Sequence, residues 1–135
     1  MPTLNWAAVN PNSDGSSSQW VITFSGAGVT GGSIADGVYD ITLNASAITS
    51  EFNPTSTVQP RPTDTFYRLF GDAQGTGKVN TADYDAFLST YGLKSTSAGY
   101  LGYFAADGTI KVDTSDYDAF LAHYGRKLSG FIATI

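Results

Sequence analysis

Apolar positions along this chain follow two different periods. In the first part they alternate. Trp20, Ile22 and Phe24 fall on one side of "QWVITFSG" (Gln19–Gly26), with Val21, Thr23 and Ser25 on the other, as in a half-buried strand. "GVYDITLN" (Gly37–Asn44) sets Tyr39, Ile41 and Leu43 against Val38, Asp40 and Thr42. "LNWAAV" (Leu4–Val9) reads as a further strand, and "SAIT" (Ser46–Thr49) as an extension of the last one. "NPNSDGSSS" and the glycine-dense "SGAGVTGGSIADG" are the turns and connectors between them. In the second part the period lengthens to that of a helix. Tyr84, Phe87, Leu88 and Tyr91 stand at i, i+3, i+4 and i+7, and Tyr117, Phe120, Leu121 and Tyr124 repeat the stripe. Thr81 and Thr114 are the expected N-caps, Asp83 and Asp116 sit in the first turns, and Gly92 and Gly125 end the helices. Both stripes, and Trp20 on its strand, are expected in the core.

These periods divide the chain. Residues 1–60 read as a β-sandwich-like segment, 61–128 as a repeat pair, and 129–135 as a C-terminal strand returning to the sheet. Three prolines, Pro54, Pro60 and Pro62, mark an extended linker over "NPTSTVQPRPTDT". The expected fold class is α+β, a small antiparallel sheet with two loop-helix units. Three or four strands are few for a sandwich, which takes about seven.

The second part is written twice. "KVNTADYDAFLSTYG" (Lys78–Gly92) returns as "KVDTSDYDAFLAHYG" (Lys111–Gly125). Neither helix buries its stripe alone, so two copies are expected to pack together. Before the first helix, "DAQGTGKVNTAD" has the length and spacing of a calcium loop. Its oxygens are Asp72, Gln74, Thr76, the Lys78 carbonyl, Asn80 and Asp83, with Gly77 at the sharp turn. Val79 is expected to pair with Val112 in a short bridge between the two loops. The second loop departs from the pattern. Counting back from Asp116 puts Ala105 at the first ligand position and Ile110 at the glycine position, leaving Asp107, Asp113 and Asp116 as carboxylates. The alternative is a repeat kept for helix packing, with Asp83 and Asp116 serving only the helix starts.

Composition narrows the function. Net charge is -5, with only 14% charged residues. The seven basic residues form no stripe to neutralise phosphates, which argues against nucleic acid. Of the twelve acidic residues only Glu51 is not Asp, the acid of turns, caps and calcium loops. No cysteine is present, so disulfides, zinc-thiolate sites and cysteine nucleophiles are excluded. No apolar run reaches membrane-spanning length, so no membrane insertion is expected. "MPTLNW" does not read as a signal peptide. The single histidine, His123, lies on a helix without a nucleophile motif, and "GAGVTGG" lacks a dinucleotide-binding context. The chain is expected not to be an enzyme.

"FYRLFGDAQGTGKVNTADYDAFLSTYG" and "FAADGTIKVDTSDYDAFLAHYG" resemble the duplicated calcium-binding repeats of dockerin-type modules. They look closest to the dockerin-like segments near the C-termini of large secreted proteins of planctomycete-type bacteria. In those a Gly-rich β segment like "WVITFSG…GGSIADGVYDITL" precedes the pair, and an ending like "LSGFIATI" follows it. The resemblance implies a secreted or cell-surface, non-catalytic module with Ca2+ as cofactor. It also implies a protein partner, cohesin-like or another module of the parent. The alternative is a carbohydrate-binding module of a secreted glycan-degrading enzyme, recognising polysaccharide through exposed aromatics. Trp6, Trp20, Tyr39, Tyr100 and Tyr103 are the candidates for that role.

Overall fold

A computed structural model describes residues 2–50, 53, 55–56 and 63–129. The expected boundary at residue 60/61 and the C-terminal strand beyond Ser129 lie outside the described residues. Among the described residues, six strands and two helices make a mixed α+β fold. The strands are β1 (Thr3–Ala8), β2 (Trp20–Ser25), β3 (Val29–Thr30), β4 (Ser33–Ile34), β5 (Gly37–Ile41) and β6 (Asp64–Arg68); the helices are α1 (Thr81–Thr90) and α2 (Thr114–His123).

One expectation is corrected here. The strands do not share a sheet but form three separate antiparallel ribbons, β1–β2, β3–β4 and β5–β6. The connector after β2 folds back on itself as the β3–β4 hairpin, so β2 and β5 never become neighbours. β5 pairs instead with β6, from Gly37 opposite Arg68 to Ile41 opposite Asp64. "SAIT" does not extend a strand; Ala45–Ala47 form a single 3₁₀ turn.

The core lies in the repeat half. Leu69, Phe70, Val79, Phe87, Phe104, Val112 and Phe120 are buried as one cluster. Phe87, Phe104 and Phe120 form a triangle with ring centroids 5.0, 5.2 and 5.9 Å apart. The two helices meet there because each copy contributes one phenylalanine at the same place in its stripe. The stripes are narrower than expected. Phe87 and Phe120 are fully buried, but Leu88, Tyr91, Leu121 and Tyr124 are exposed. α1 buries Asp83, Phe87 and Thr90 and α2 buries Asp116 and Phe120, so of each stripe only the phenylalanine is fully enclosed.

The valines do not pair with one another. Val79 exchanges hydrogen bonds with the chain leaving α2: its N–H donates to the Arg126 carbonyl at 2.9 Å, and Gly125 N–H donates to its carbonyl at 3.0 Å. Val112 does the same with the chain leaving α1, through Gly92 N–H at 2.8 Å and the Leu93 carbonyl at 3.0 Å. Each loop is thus tied to the tail of the other copy's helix. Tyrosines follow the same exchange: Tyr124 Oη lies 3.0 Å from Thr81 Oγ1, and Tyr91 Oη lies 3.2 Å from Thr114 Oγ1. The two threonines expected as caps are occupied there.

The β half joins this body at Asp36. Its carboxylate accepts from Phe70 N–H at 2.8 Å, pairs with the Arg68 guanidinium, and lies 3.1 Å from His123 Nε2. His123 also packs edge-on against Phe70, 5.2 Å between centroids, so its role is packing at this joint. Beside it Gly31 meets Gly108. A β-carbon on Gly31 would stand 2.8 Å from the Gly108 Cα, so both positions must stay bare.

Candidate cation-binding loops

The caps that start the helices also shape the loops. The N-caps are Asn80 and Asp113, one residue before the expected threonines. Each closes a capping box with the aspartate three residues on. Asp83 Oδ2 accepts from Asn80 N–H at 2.8 Å, and Asp116 Oδ2 accepts from Asp113 N–H at 2.8 Å. The second oxygen of each reaches back across its loop. Asp83 Oδ1 takes Gln74 N–H at 3.1 Å, and Asp116 Oδ1 takes Ala106 N–H at 2.7 Å. The two aspartates therefore draw the loops into the same closed turn, and both are fully buried.

In the first loop Asp72 is the other anchor. Its oxygens accept from Thr76 N–H at 2.9 Å, Gly77 N–H at 2.7 Å and the Tyr67 hydroxyl at 2.7 Å. Gly77 stands at φ +73°, the left-handed backbone that the expected sharp turn requires. Thr76 Oγ1 lies 3.3 Å from the Lys78 carbonyl oxygen. Asn80 Oδ1 already caps Ala82 N–H at 2.9 Å, and Gln74 is exposed. Tyr67 was not singled out in the sequence. Burial, with the Asp72 carboxylate beside it, pushes its phenol above the ordinary range.

The second loop closes differently. Asp107 Oδ1 accepts from Thr109 N–H at 2.9 Å, and that bond holds its carboxyl below the usual value. Ser115 Oγ sits 3.2 Å from Asp107 Oδ2 and 2.9 Å from Asp113 Oδ1, so one hydroxyl brings these two carboxylates together. Thr109 Oγ1 donates to the Lys111 carbonyl at 3.0 Å, matching Thr76 on Lys78. Ser115, Thr109 and the Lys111 carbonyl are additions to the sequence set. The last two are the positions of Thr76 and Lys78 carried into the second copy of the phrase.

The donor set is entirely oxygen, which suits a hard cation such as Ca2+. Among the described residues no three acidic or histidine side chains gather as one metal-holding group. In the first loop two carboxylates, Asp72 and Asp83, would work with neutral oxygens. Burial adds a second argument. A carboxylate has about four lone-pair sites, and two N–H groups fill half of them on Asp83 and on Asp116. Among the described residues neither aspartate has a basic partner; the ion pairs seen join Asp36 to Arg68 and His123. A buried negative charge without a countercharge is expensive, and a cation in the loop would offset it.

No protein-family model, curated protein or solved structure matches this chain.

Proposed function

We propose that this chain is a non-catalytic attachment module of a secreted protein, whose repeat pair is a dockerin-like unit stabilised by Ca2+. One observation carries the reading: two fully buried aspartates, Asp83 and Asp116, hold identical places in two loops and have no basic partner among the described residues. Asp72, Thr76, the Lys78 carbonyl and Asn80 would complete the first donor set. Asp107, Asp113, Thr109 and the Lys111 carbonyl would complete the second. With so few carboxylates the expected affinity is in the range of extracellular modules, about 0.1–1 mM. Bound calcium would neutralise the buried carboxylates and lock both helix starts. The joined helices would then present their exposed outer faces to a protein partner.

The test is thermal unfolding of chelator-stripped protein with and without 10 mM calcium, with magnesium as control. A calcium-specific rise in Tm that shrinks in both Asp83→Asn and Asp116→Asn supports the reading. An unchanged Tm would leave the repeat as a packing device alone.

A further inference from the structure

The β1–β2 ribbon carries an aromatic surface that the repeat body does not use. Its register places Leu4 opposite Phe24, Trp6 opposite Ile22 and Ala8 opposite Trp20. One face is therefore entirely apolar. That face has two ends. At the inner end Phe24 lies 6.5 Å from Phe66 on β6, and Ile22 and Phe24 border a hollow of about 670 Å³ shared with the repeat body. At the outer end neither tryptophan lines that hollow. Trp6 is 74% and Trp20 53% exposed, and their ring centroids are 6.1 Å apart.

The outer end is also held in shape. Trp20 Nε1–H donates to the Ser17 carbonyl at 3.2 Å, which fixes the indole. Ser17 Oγ in turn reaches the Val9 carbonyl at 2.6 Å and ties the loop between the strands to the end of β1. Neither strand contains a charged residue, and Asp14 is the sole charge in the loop that joins them. The rest of that loop, residues 10–19, is Ser, Asn, Gln, Gly and Pro, with Asn10, Asn12, Ser13, Ser18 and Gln19 exposed. Two exposed indole faces, that of Trp20 held by its hydrogen bond, beside a loop rich in hydroxyl and amide side chains match a ligand with apolar C–H faces and many hydroxyls, and offer little to an ionic one.

We propose that Trp6 and Trp20 form a binding platform for a neutral polysaccharide, whose sugar rings lie against the indoles while their hydroxyls meet the polar loop. This site is separate from the loops and stands whether or not they take calcium. The chain has only two tryptophans, so its indole fluorescence reports this pair and nothing else.

The experiment is affinity electrophoresis in gels containing neutral soluble polysaccharides, a β-glucan, a xylan and a galactomannan. It is paired with tryptophan emission on titration with the corresponding oligosaccharides. The expected result is retardation by at least one of them with a shift in emission. Trp6→Ala and Trp20→Ala should each weaken binding at least tenfold with unchanged circular dichroism, while Tyr103→Ala, exposed elsewhere, should not. Absence of retardation and of any emission change across the panel would overturn the proposal. So would retardation that survives both tryptophan substitutions. Sedimentation showing a dimer that Trp6→Ala dissolves would give the pair to a second copy of the chain and equally overturn it.

Discussion

The ribbon at the start of the chain and the repeat body at its end are both rich in aromatics, yet they use them in opposite ways. In the repeat body Phe87, Phe104 and Phe120 have no exposed surface at all. On the ribbon Trp6, Trp20, Leu4 and Ile22 all lie open to solvent. The difference is one of partners. Each repeat copy is written beside a second copy with the same stripe, and the two also exchange backbone bonds through Val79 and Val112. On the ribbon only the inner end of the apolar face meets another strand pair, Phe24 against Phe66 of β6, and the tryptophan end is left open. Apolar content alone therefore does not make a core; a complementary face in the same chain does.

The sharpest way to break the contrast is to remove an aromatic from the centre of the body. Phe120→Ala takes away the ring that stacks on Phe87 at 5.0 Å and touches Phe104 at 5.9 Å. A buried Phe→Ala change costs about 3–5 kcal/mol. Urea unfolding followed by far-ultraviolet circular dichroism should show a large drop in midpoint. A change below about 1 kcal/mol would mean the triangle is not the core.

Next comes the buried charge. Asp83→Ala leaves the N–H groups of Gln74 and Asn80 without their acceptor in a fully buried place. Orphaned donors of this kind cost about 1–3 kcal/mol. Chelated protein should already be destabilised by this change, because the loss is of backbone hydrogen bonds. Asp83→Asn keeps one acceptor oxygen and should be milder in chelator but should still blunt the response to calcium. Equal stability of Asp83→Ala and the parent in urea would refute the closed-turn role of the carboxylate.

Calcium itself comes third. A site with an affinity of about 0.1–1 mM gains about 1.4–2.7 kcal/mol at 10 mM ion by mass action. That gain should appear in the repeat body, whose backbone amides should become slower to exchange hydrogen. The amides of β1 and β2 should not change. Uniform slowing across both regions would show that the ribbon is coupled to the loops, and the comparison would lose its basis.

The sequence disclosed this division unevenly. Both helices were legible, since a stripe at i, i+3, i+4 and i+7 is written twice. Their caps were misplaced by one residue because "NT" and "DT" each offer two good capping types side by side. Counting back three from Asp83 and Asp116 selects Asn80 and Asp113, so the capping box carried the answer. The sharp turn in the first loop was legible too, at the left-handed Gly77. The burial of Asp83 and Asp116 without a basic partner among the described residues was not, because it depends on where the cations fall in three dimensions. Strand pairing was the least legible part. Alternation marks the apolar face of β2 but does not name its neighbour, and β5 pairs with β6, which lies beyond the proline-rich stretch in sequence. Trp20 shows the limit: it stands on an apolar face, as expected, yet that face is open to solvent.

The smallest expected effect is the most informative about the ribbon. Trp6 pairs with Trp20 ring to ring at 6.1 Å, and at 74% exposure it has little burial to lose. Trp6→Ala should change stability by less than about 0.5 kcal/mol, the range of surface substitutions away from special features. A large aromatic whose loss barely alters folding, beside a phenylalanine whose loss removes several kcal/mol, would place the ribbon's outer face outside the core by measurement. A loss above about 2 kcal/mol would instead give Trp6 the weight of a core residue. The ribbon would then be a packed layer in solution, and its tryptophans could not serve as an open platform.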